Sequence, residues 1–407
     1  MKHLLNKVDR DSLVETACDL VNISSPTGHE QPAAEYVART LGGMGLQVAW
    51  QEVEDGRPNV LARLEGTGGG KTLMLNGHMD TSYSGREPWL RGIEGFRPEA
   101  RVRDGHIFGL GISNMKGALA CYIEAVRALL DAGVRLNGDL LVAAVVGEIE
   151  KTQWGEFRGA EYRGYAAGSR HLVSHGGVAD MCVLGEPTEQ KVVLAHYGSV
   201  WMRISTRGPF VHTAFTSSLE QNSIVRMRDV LDAVLEWIPS WEERTTYRGH
   251  PGVVNVGAIN GGFAWRASRT PGRTDLFLDA RVPPSMPMTE ATAALRELVR
   301  GLRERFPEHG IRSEIYVTAP GAEIAEDHEL IQALDESHGE VFGSPPERDV
   351  VRWFSDASVL SRYGIATVNY GTSSGLPGAE GENLAISGLV DTAKVYALTA
   401  ARVCGVA

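Results

Sequence analysis

Helix-like and strand-like segments alternate over the first third of the chain, and this alternation excludes the all-α and all-β fold classes. Apolar residues recur at helical spacing in 11–23, where Asp11 is a candidate N-cap, and in 114–134. Residues 59–66 and 71–80 have the apolar runs of short strands. This pattern is typical of an α/β sheet with helices on both faces. Ligands of such sheets collect at the carboxyl ends of the strands.

The pattern changes near residue 196. Period-two segments at 200–205 and 275–282 surround a helix-like segment at 223–238, which predicts a small inserted α+β unit. We therefore predict a catalytic domain in two parts, 1–195 and 309–407. The inserted lid or dimerisation domain would comprise 196–308.

Composition narrows the classes of partner. The chain of 407 residues is 43% hydrophobic and 22% charged, with a formal net charge of −11. An acidic surface does not attract nucleic acid or an anionic membrane, so neither is an expected partner. No apolar run approaches the roughly 20 residues of a membrane helix. The four cysteines form no C-x-x-C pair and the N-terminus has no signal-peptide core, so we expect a cytoplasmic protein.

His78 and Asp80 stand two residues apart at the end of a predicted strand. Side chains at i and i+2 of a strand project to the same side, so the carboxylate can accept a hydrogen bond from the imidazole. Such a bond fixes the tautomer and leaves the other ring nitrogen free for a metal ion. A turn histidine beside an acidic neighbour has the same pattern, so the pair alone does not define a site.

Three other segments end in polar groups. Asn114 follows a glycine-rich turn and precedes a helix, which also suits a helix N-cap. Glu148 and Glu150 follow the apolar run 139–146, and Glu186 follows another apolar run before a proline. Each feature is common by itself, whereas their order along one chain is not.

This order resembles that of the M20 metallopeptidase and amidohydrolase family. The resemblance rests on H-x-D in "LNGHMD", on the glycine-rich turn before M-K-G, on the glutamates of "VVGEIEKT" and on "VLGEPT". It extends to "NISSPTGHE", "GPFVHTAFTSSLEQNSI", "DLFLDARVPP" and "SDASVL". The family implies a zinc-exopeptidase-like mixed sheet flanked by helices, with an inserted α+β lid or dimerisation domain.

The usual site of this family holds two zinc ions bridged by one carboxylate. Matched residue by residue, His78 and Glu186 are ligands of the first metal, and Asp80 supports His78. Glu148 takes the place of the general base. The resemblance therefore implies a hydrolase that cleaves an amide, peptide or other C–N bond.

The second metal lacks its family ligands in this chain. Asn114 occupies the bridging position with a neutral amide, and Ile149 and Glu380 stand where a glutamate and a histidine are usual. Ile149 has no lone pair, so we do not expect a dinuclear site. We expect at most one divalent ion (Zn, or Mn or Co) on His78, Asn114 and Glu186, with one position open for water.

Other interpretations of the site stay open. A shift of one residue would make Glu150 a ligand, since residues 148 and 150 share one face of a strand. Alternatively no ion binds, and a metal-independent acyl transferase, lyase or unusual amidohydrolase would use Glu148 and Glu380. A non-catalytic binding protein on the same fold is a third possibility.

Candidate substrate-binding groups lie in several segments. His212 matches the family histidine that steadies the oxyanion, and Arg281 and Asn222 match positions that bind a substrate carboxylate. The plain alternatives are a surface histidine for His212 and a structural ion pair for Arg281. Glu380 and Glu150 are further candidates for substrate binding. The basic segment 151–171 either contacts the substrate or is a solvated loop. We expect a small carboxylated substrate and, from the family, a homodimer.

Overall fold

The computed structural model describes residues 2–373 and 375–407. The chain divides into two compact units, the first comprising Met1–Leu194, Glu323–Asp349 and Ser355–Ala407, and the second Ala195–Ala322 and Val350–Phe354. The helices of the described residues are α1 (Lys2–Leu5), α2 (Arg10–Asn22), α3 (Gln31–Gly43), α4 (Gly117–Asp131), α5 (Ala167–Ser174), α6 (Ser223–Arg244), α7 (Met288–Arg305), α8 (Glu329–Phe342), α9 (Ala357–Leu360) and α10 (Ile386–Cys404). The strands are β1 (Gln47–Glu54), β2 (Arg57–Leu64), β3 (Leu73–His78), β4 (Arg101–Arg103), β5 (His106–Phe108), β6 (Leu140–Val145), β7 (Met181–Leu184), β8 (Val192–His196), β9 (Gly198–Arg207), β10 (Val254–Gly261), β11 (Arg273–Val282), β12 (Arg312–Ala319), β13 (Ala322–Glu323), β14 (Arg348–Val351), β15 (Ala366–Asn369) and β16 (Asn383–Ala385).

The predicted mixed α/β sheet is confirmed. Its strand order is β1-β2-β6-β3-β7-β15-β8-β13, with β14 paired to β8. The neighbours β6, β3, β7 and β15 are parallel, whereas β1 and β2 join antiparallel. β3 and β6 are buried along their whole length, as expected for strands covered on both faces. The carboxyl ends of the four parallel strands therefore meet at one edge of the sheet.

Helices cover this sheet as the apolar periodicity predicts. α4 packs against α2 and α10. Its predicted apolar face is fully buried, and comprises Leu119, Tyr122, Ile123, Val126 and Leu129. The cap of α2 is a correction: Asp9, not Asp11, accepts a hydrogen bond from the N–H of Ser12, at 2.8 Å. The helix therefore begins two residues earlier than the apolar pattern indicates.

The second unit contains an antiparallel sheet with the order β10-β11-β9-β12, against which α6 and α7 pack. Burial alternates strictly along β11, which agrees with the period-two pattern of its sequence. The unit extends to Ala322 rather than to the expected residue 308. The reason is long-range pairing, because β12 forms hydrogen bonds with β9 and so belongs to this sheet.

The described helices include none that is long and apolar enough to cross a membrane. All four cysteines are free. The cytoplasmic location expected from the sequence stays a prediction.

Candidate active site

His78 is the last residue of β3, and its ring is fully buried. Its Nδ1 atom lies 2.9 Å from the backbone oxygen of Asp80 and 3.5 Å from Oδ1 of the same residue. A carbonyl oxygen only accepts hydrogen bonds, so Nδ1 carries a proton. Nε2 lies 2.8 Å from Oδ1 of Asn114. The amide oxygen of Asn114 also only accepts, so Nε2 carries a proton as well in this arrangement.

Asp80 connects the end of β3 to the loop after β6. Its buried carboxylate accepts hydrogen bonds from the backbone N–H groups of Glu148 and Ile149, at 3.1 and 3.3 Å, and from Oγ1 of Thr27 at 2.9 Å. Burial raises the pKa of Asp80, but the hydrogen bond and charge of His78 outweigh burial and lower this pKa below its usual value. Asp80 is therefore ionised, and it positions both His78 and Glu148.

Two glutamates approach His78 from the ends of neighbouring strands. Oε2 of Glu148 and Oε1 of Glu186 each lie 3.8 Å from Nε2 of His78. The three candidate ligand atoms lie within 4.8 Å of one another. Both glutamates are buried, and Oε1 of Glu186 has no hydrogen-bond partner. Because a buried carboxylate oxygen without a partner is costly, this arrangement favours a bound cation.

Burial raises the pKa of both glutamates. The pKa of Glu148 lies well above its usual value because the charge of Glu186 adds to burial. The pKa of Glu186 is raised to about 7 by burial, against the opposing charge of His78. Burial lowers the pKa of His78, but its hydrogen bond to Asp80 and the two glutamate charges raise this pKa well above its usual value. The site can therefore exchange protons near neutral pH, as general acid–base chemistry requires.

Asn114 lies in a turn, Ile112–Lys116, that precedes α4, and its own backbone is not helical, with φ −128° and ψ 91°. The N-cap interpretation is wrong, because α4 begins only at Gly117 and the Asn114 side chain contacts His78 instead. Oε2 of Glu382 accepts hydrogen bonds from the backbone N–H groups of residues 113 and 114, at 3.0 and 3.2 Å. Glu382 thereby holds the backbone of the turn that carries the Asn114 side chain. Sequence analysis did not select Glu382.

Lys116 is the last residue of the same turn. Its side chain is buried, and Nζ donates a hydrogen bond to the backbone oxygen of Ile23 at 2.7 Å. Burial lowers the pKa of Lys116 to about 7, although the charges of Glu382 and Asp80 act in the opposite direction. The interior of the site therefore holds a buried lysine, in addition to His78, together with its carboxylates.

Asp356 is another buried acid that sequence analysis did not select. Its Oδ2 atom accepts a hydrogen bond from Oγ of Ser169 at 2.7 Å, and its Oδ1 atom has no partner. Burial raises the pKa of Asp356 to about 6, against the hydrogen bond from Ser169 and the charge of His78. The sequence segment that could have indicated Asp356 is "SDASVL". It stands at the place that the order of the family motifs predicts, but it contains a single acidic residue.

The ligands of a second ion are not assembled among the described residues. The one group of three or more imidazole and carboxylate ligands found there is His78, Glu148 and Glu186. Glu380 is exposed and Glu150 is partly exposed, and neither belongs to that group. Ile149 is buried, its side chain has no ligand atom, and its backbone N–H donates to Asp80. The residues present thus fit one ion, with Glu148 standing beside the predicted ligands.

Three of the predicted residues lie in the second unit. His212 precedes a short 3₁₀ turn, and its Nδ1 accepts a hydrogen bond from the N–H of Ala214 at 3.2 Å. Asn222 caps α6 by accepting from the N–H of Ile224. Arg281 donates to Oδ2 of Asp279 at 2.8 Å. Each residue therefore has a local structural role, and its role toward a substrate stays a prediction.

Segment 151–171 is anchored by a buried ion pair. Nη2 of Arg57 lies 2.6 Å from Oε1 of Glu30, and both side chains are fully buried. Nη1 of Arg57 donates to the backbone oxygens of Ala160 and Arg163, at 2.9 and 3.1 Å. The inner side of the segment is therefore held in place, while much of 153–159 is exposed.

A buried imidazole–carboxylate group at the carboxyl edge of a parallel sheet is typical of a hydrolytic metal centre. The sequence profile of Peptidase family M20/M25/M40 matches residues 74–402, and the chain belongs to this family. It is therefore an enzyme, a hydrolase of amide or peptide bonds.

Relatives of known activity agree with this assignment. The acetylornithine deacetylase of Vibrio parahaemolyticus is 29% identical over 311 residues, which cover 74% of each chain. The N-formyl-4-amino-5-aminomethyl-2-methylpyrimidine deformylase of Bacillus subtilis is 25% identical over 397 residues, covering 89% of this chain and 87% of the relative. A tripeptidase structure from Staphylococcus aureus superposes with a TM-score of 0.77 at 18% identity, covering 98% of this chain and 99% of the other. That structural likeness shows the fold alone.

Proposed function

We propose that this hydrolase removes the acyl group from a small carboxylated N-acyl compound, with Glu148 as general base and one divalent ion. His78, Glu186 and Asn114 would hold the ion, which is Zn, or Mn or Co. The observation that carries the proposal is the convergence of His78, Glu148 and Glu186, with a buried glutamate oxygen that lacks a partner.

Each residue of the proposed site would have its own role in the reaction. When bound, the ion would supply Lewis acidity that polarises the scissile carbonyl and makes water a better nucleophile. Glu148 would take a proton from water and return it to the leaving amine. Asp80 holds the Glu148 backbone and the His78 ring in place. His212 would steady the oxyanion, a contribution of about 3–4 kcal/mol.

The substrate class follows from the relatives. The two enzymes above are a deacetylase and a deformylase, which remove acetyl and formyl groups. Arg281 and Asn222 are the proposed partners of the substrate carboxylate. Glu380 and Glu150 are proposed to limit which substrates enter, since both carry exposed or partly exposed carboxylates.

A homodimer is proposed for the assembled enzyme. β10 is an edge strand of its sheet, and most of its residues are exposed. The second unit also exposes several large apolar side chains, namely Phe210, Phe215, Leu219, Ile259, Phe263 and Trp265. Exposed apolar groups beside an unpaired edge strand support pairing with another copy.

A metal-independent reaction on the same residues is the second candidate. It is favoured by the 2.8 Å contact between Nε2 of His78 and Oδ1 of Asn114, because this contact already satisfies the nitrogen that an ion would need. This candidate would use Glu148, with Glu380 as its second acid.

Metal content and mutant turnover test the proposal together. We expect about one ion per chain by ICP-MS after dialysis against zinc, lost in His78→Ala and kept in Glu148→Gln. Glu148→Gln should lower kcat on N-acyl amino acids by about 10²–10⁴-fold. Glu15→Gln, a change at an exposed glutamate of α2, is the matched control.

The other outcomes separate the alternatives. Two ions per chain would contradict the interpretation of Ile149. Undiminished turnover in metal-free protein would establish the metal-independent reaction.

A further inference from the structure

We propose that the second unit carries an anion-binding groove for a small polyanion that bears phosphate or several carboxylate groups. The groove has a volume of about 670 Å³. Three arginines line it, Arg207, Arg303 and Arg312, together with Phe306, Pro307, Gly310 and Ile311. All these residues belong to the second unit, so the inference is independent of the proposed function.

Three elements bring the arginines together. Arg207 ends β9 and Arg312 begins β12, the strand that pairs with β9. Arg303 lies in the last turn of α7. Gly310 keeps the groove open, because a Cβ atom there would lie 2.9 Å from Cβ of Arg207. Its φ of +60° also suits glycine.

The positive charges of the groove are not compensated by the described residues. Arg207 and Arg312 have neither an ion pair nor a side-chain hydrogen bond there. Nε of Arg303 donates to the backbone oxygen of Ile311 at 3.0 Å, which fixes its direction and leaves its other donors available. Nearby arginines of the same unit differ, since Arg203 and Arg305 pair with Glu314 and Glu236.

Three like charges around one cavity repel each other unless an anion neutralises them. The planar fork of arginine matches the oxygens of phosphate and of carboxylate, and both can bind through two parallel hydrogen bonds. The chemistry of the lining therefore selects a multiply charged oxyanion.

The apolar part of the groove does not favour an aromatic base. The ring of Phe306 is stacked with His309 at 4.9 Å between centroids, and the guanidinium carbon of Arg305 lies 5.1 Å from its centroid. Because the ring already makes these contacts, we expect Phe306 to line the groove without stacking on an aromatic ligand. We therefore expect the charge and the size of the anion to determine which ligand binds, rather than the presence of a nucleobase.

Isothermal titration with pyrophosphate and with citrate, at low ionic strength, tests the groove. We expect the wild-type protein to bind at least one of the two anions, and the double substitution Arg207→Gln and Arg312→Gln to weaken this binding by about tenfold or more. The preferred anion then distinguishes a phosphate ligand from a polycarboxylate. Both arginines are exposed, so the double variant is expected to fold, which its circular dichroism and Tm would verify.

Arg296→Gln is the matched control, because Arg296 lies two turns before Arg303 on α7 and is exposed. It should bind the anion like the wild type. Equal affinity in the wild type and the double variant would overturn the proposal, since any measured binding would then reside elsewhere. Absence of binding of both anions to the wild type at millimolar concentration would overturn it as well.

Discussion

The backbone N–H of Glu148 donates a hydrogen bond to Oδ1 of Asp80, with a nitrogen–oxygen distance of 3.1 Å. The two residues are 68 positions apart and follow the neighbouring parallel strands β3 and β6. Asp80 also contacts the ring of His78. One buried carboxylate therefore places the imidazole and the proposed general base with respect to each other.

Asp80→Asn should lower both stability and activity. Asparagine offers one acceptor oxygen instead of two, so a buried N–H of Glu148 or Ile149 would lose its partner. We expect a loss of about 1–3 kcal/mol in the free energy of unfolding by urea. Misplacement of Glu148 should reduce kcat by about 10²-fold. Thr27→Val removes only a donor to Asp80 and should change kcat much less; equal effects would contradict this account.

Glu382→Ala should disturb the Asn114 turn more than Glu382→Gln. Both backbone donors bond to the single atom Oε2, so the one amide oxygen of glutamine can replace it. We expect the alanine variant to bind zinc at least about tenfold more weakly and to lose hydrogen-exchange protection at residues 113 and 114. The glutamine variant should keep most of both properties. Equal losses in the two variants would show that charge, not the hydrogen bonds, is what matters.

The combination Asn114→Asp and Ile149→Glu should restore affinity for a second ion. It returns a charged bridge and a carboxylate ligand to the positions where the family has them. A carboxylate at the buried position 149 should destabilise the metal-free protein, and zinc should recover the loss, because ligands stabilise the state they bind. Metal content and Tm with and without zinc measure both effects. Asn114→Asp with Ile149→Gln is the control, and a stoichiometry of one ion in both proteins would refute the prediction.

His338 should make the protein less stable in mild acid. It is buried, stacks on Phe342 and lies 2.8 Å from the hydroxyl of Tyr370. Burial lowers the pKa of His338 below 6.5, against the charge of Asp335. The unfolded chain therefore binds more protons than the folded chain below about pH 6.5, so stability falls as the pH drops through that value and is unaffected above it.

Unfolding free energies of the wild type and of His338→Gln, measured at pH 7.5 and 5.5, test whether stability falls with falling pH because of His338. The wild type should lose more stability than the variant between the two values. A difference between the proteins that does not change with pH would exclude a role for His338.

Ile259→Lys should convert the proposed dimer into a monomer. Ile259 lies on the edge strand β10 and is 48% exposed. A charge there would be buried in any pairing of two such edges. Light scattering coupled to gel filtration measures the mass, with Val178→Lys on the first unit as the control. A wild-type monomer, or a dimer that persists in Ile259→Lys, would contradict the proposed interface.

Much of the fold could be predicted from the sequence because it is encoded locally. The burial of α4 and the alternation along β11 follow from the spacing of apolar residues over a few turns or pleats. The approach of Glu148 to His78 agrees with the rule that parallel strands present their carboxyl ends at one edge, whereas Glu186 was expected there from the family resemblance.

Other features depended on contacts between distant parts of the chain. β12 belongs to the second unit because it pairs with β9, more than a hundred residues earlier. Glu382 supports Asn114 across 268 positions, while Glu380, two residues away, is exposed.

The sequence by itself determined the α/β fold class and the family, since these follow from residue types and their spacing. Only the tertiary structure decided which buried acids surround His78, because burial and hydrogen bonding of a carboxylate depend on neighbours from other segments. Asp356 and Lys116 acquire their shifted pKa values in this way. The arginine groove arises for the same reason, as Arg207 and Arg312 meet through strand pairing that no local pattern reveals.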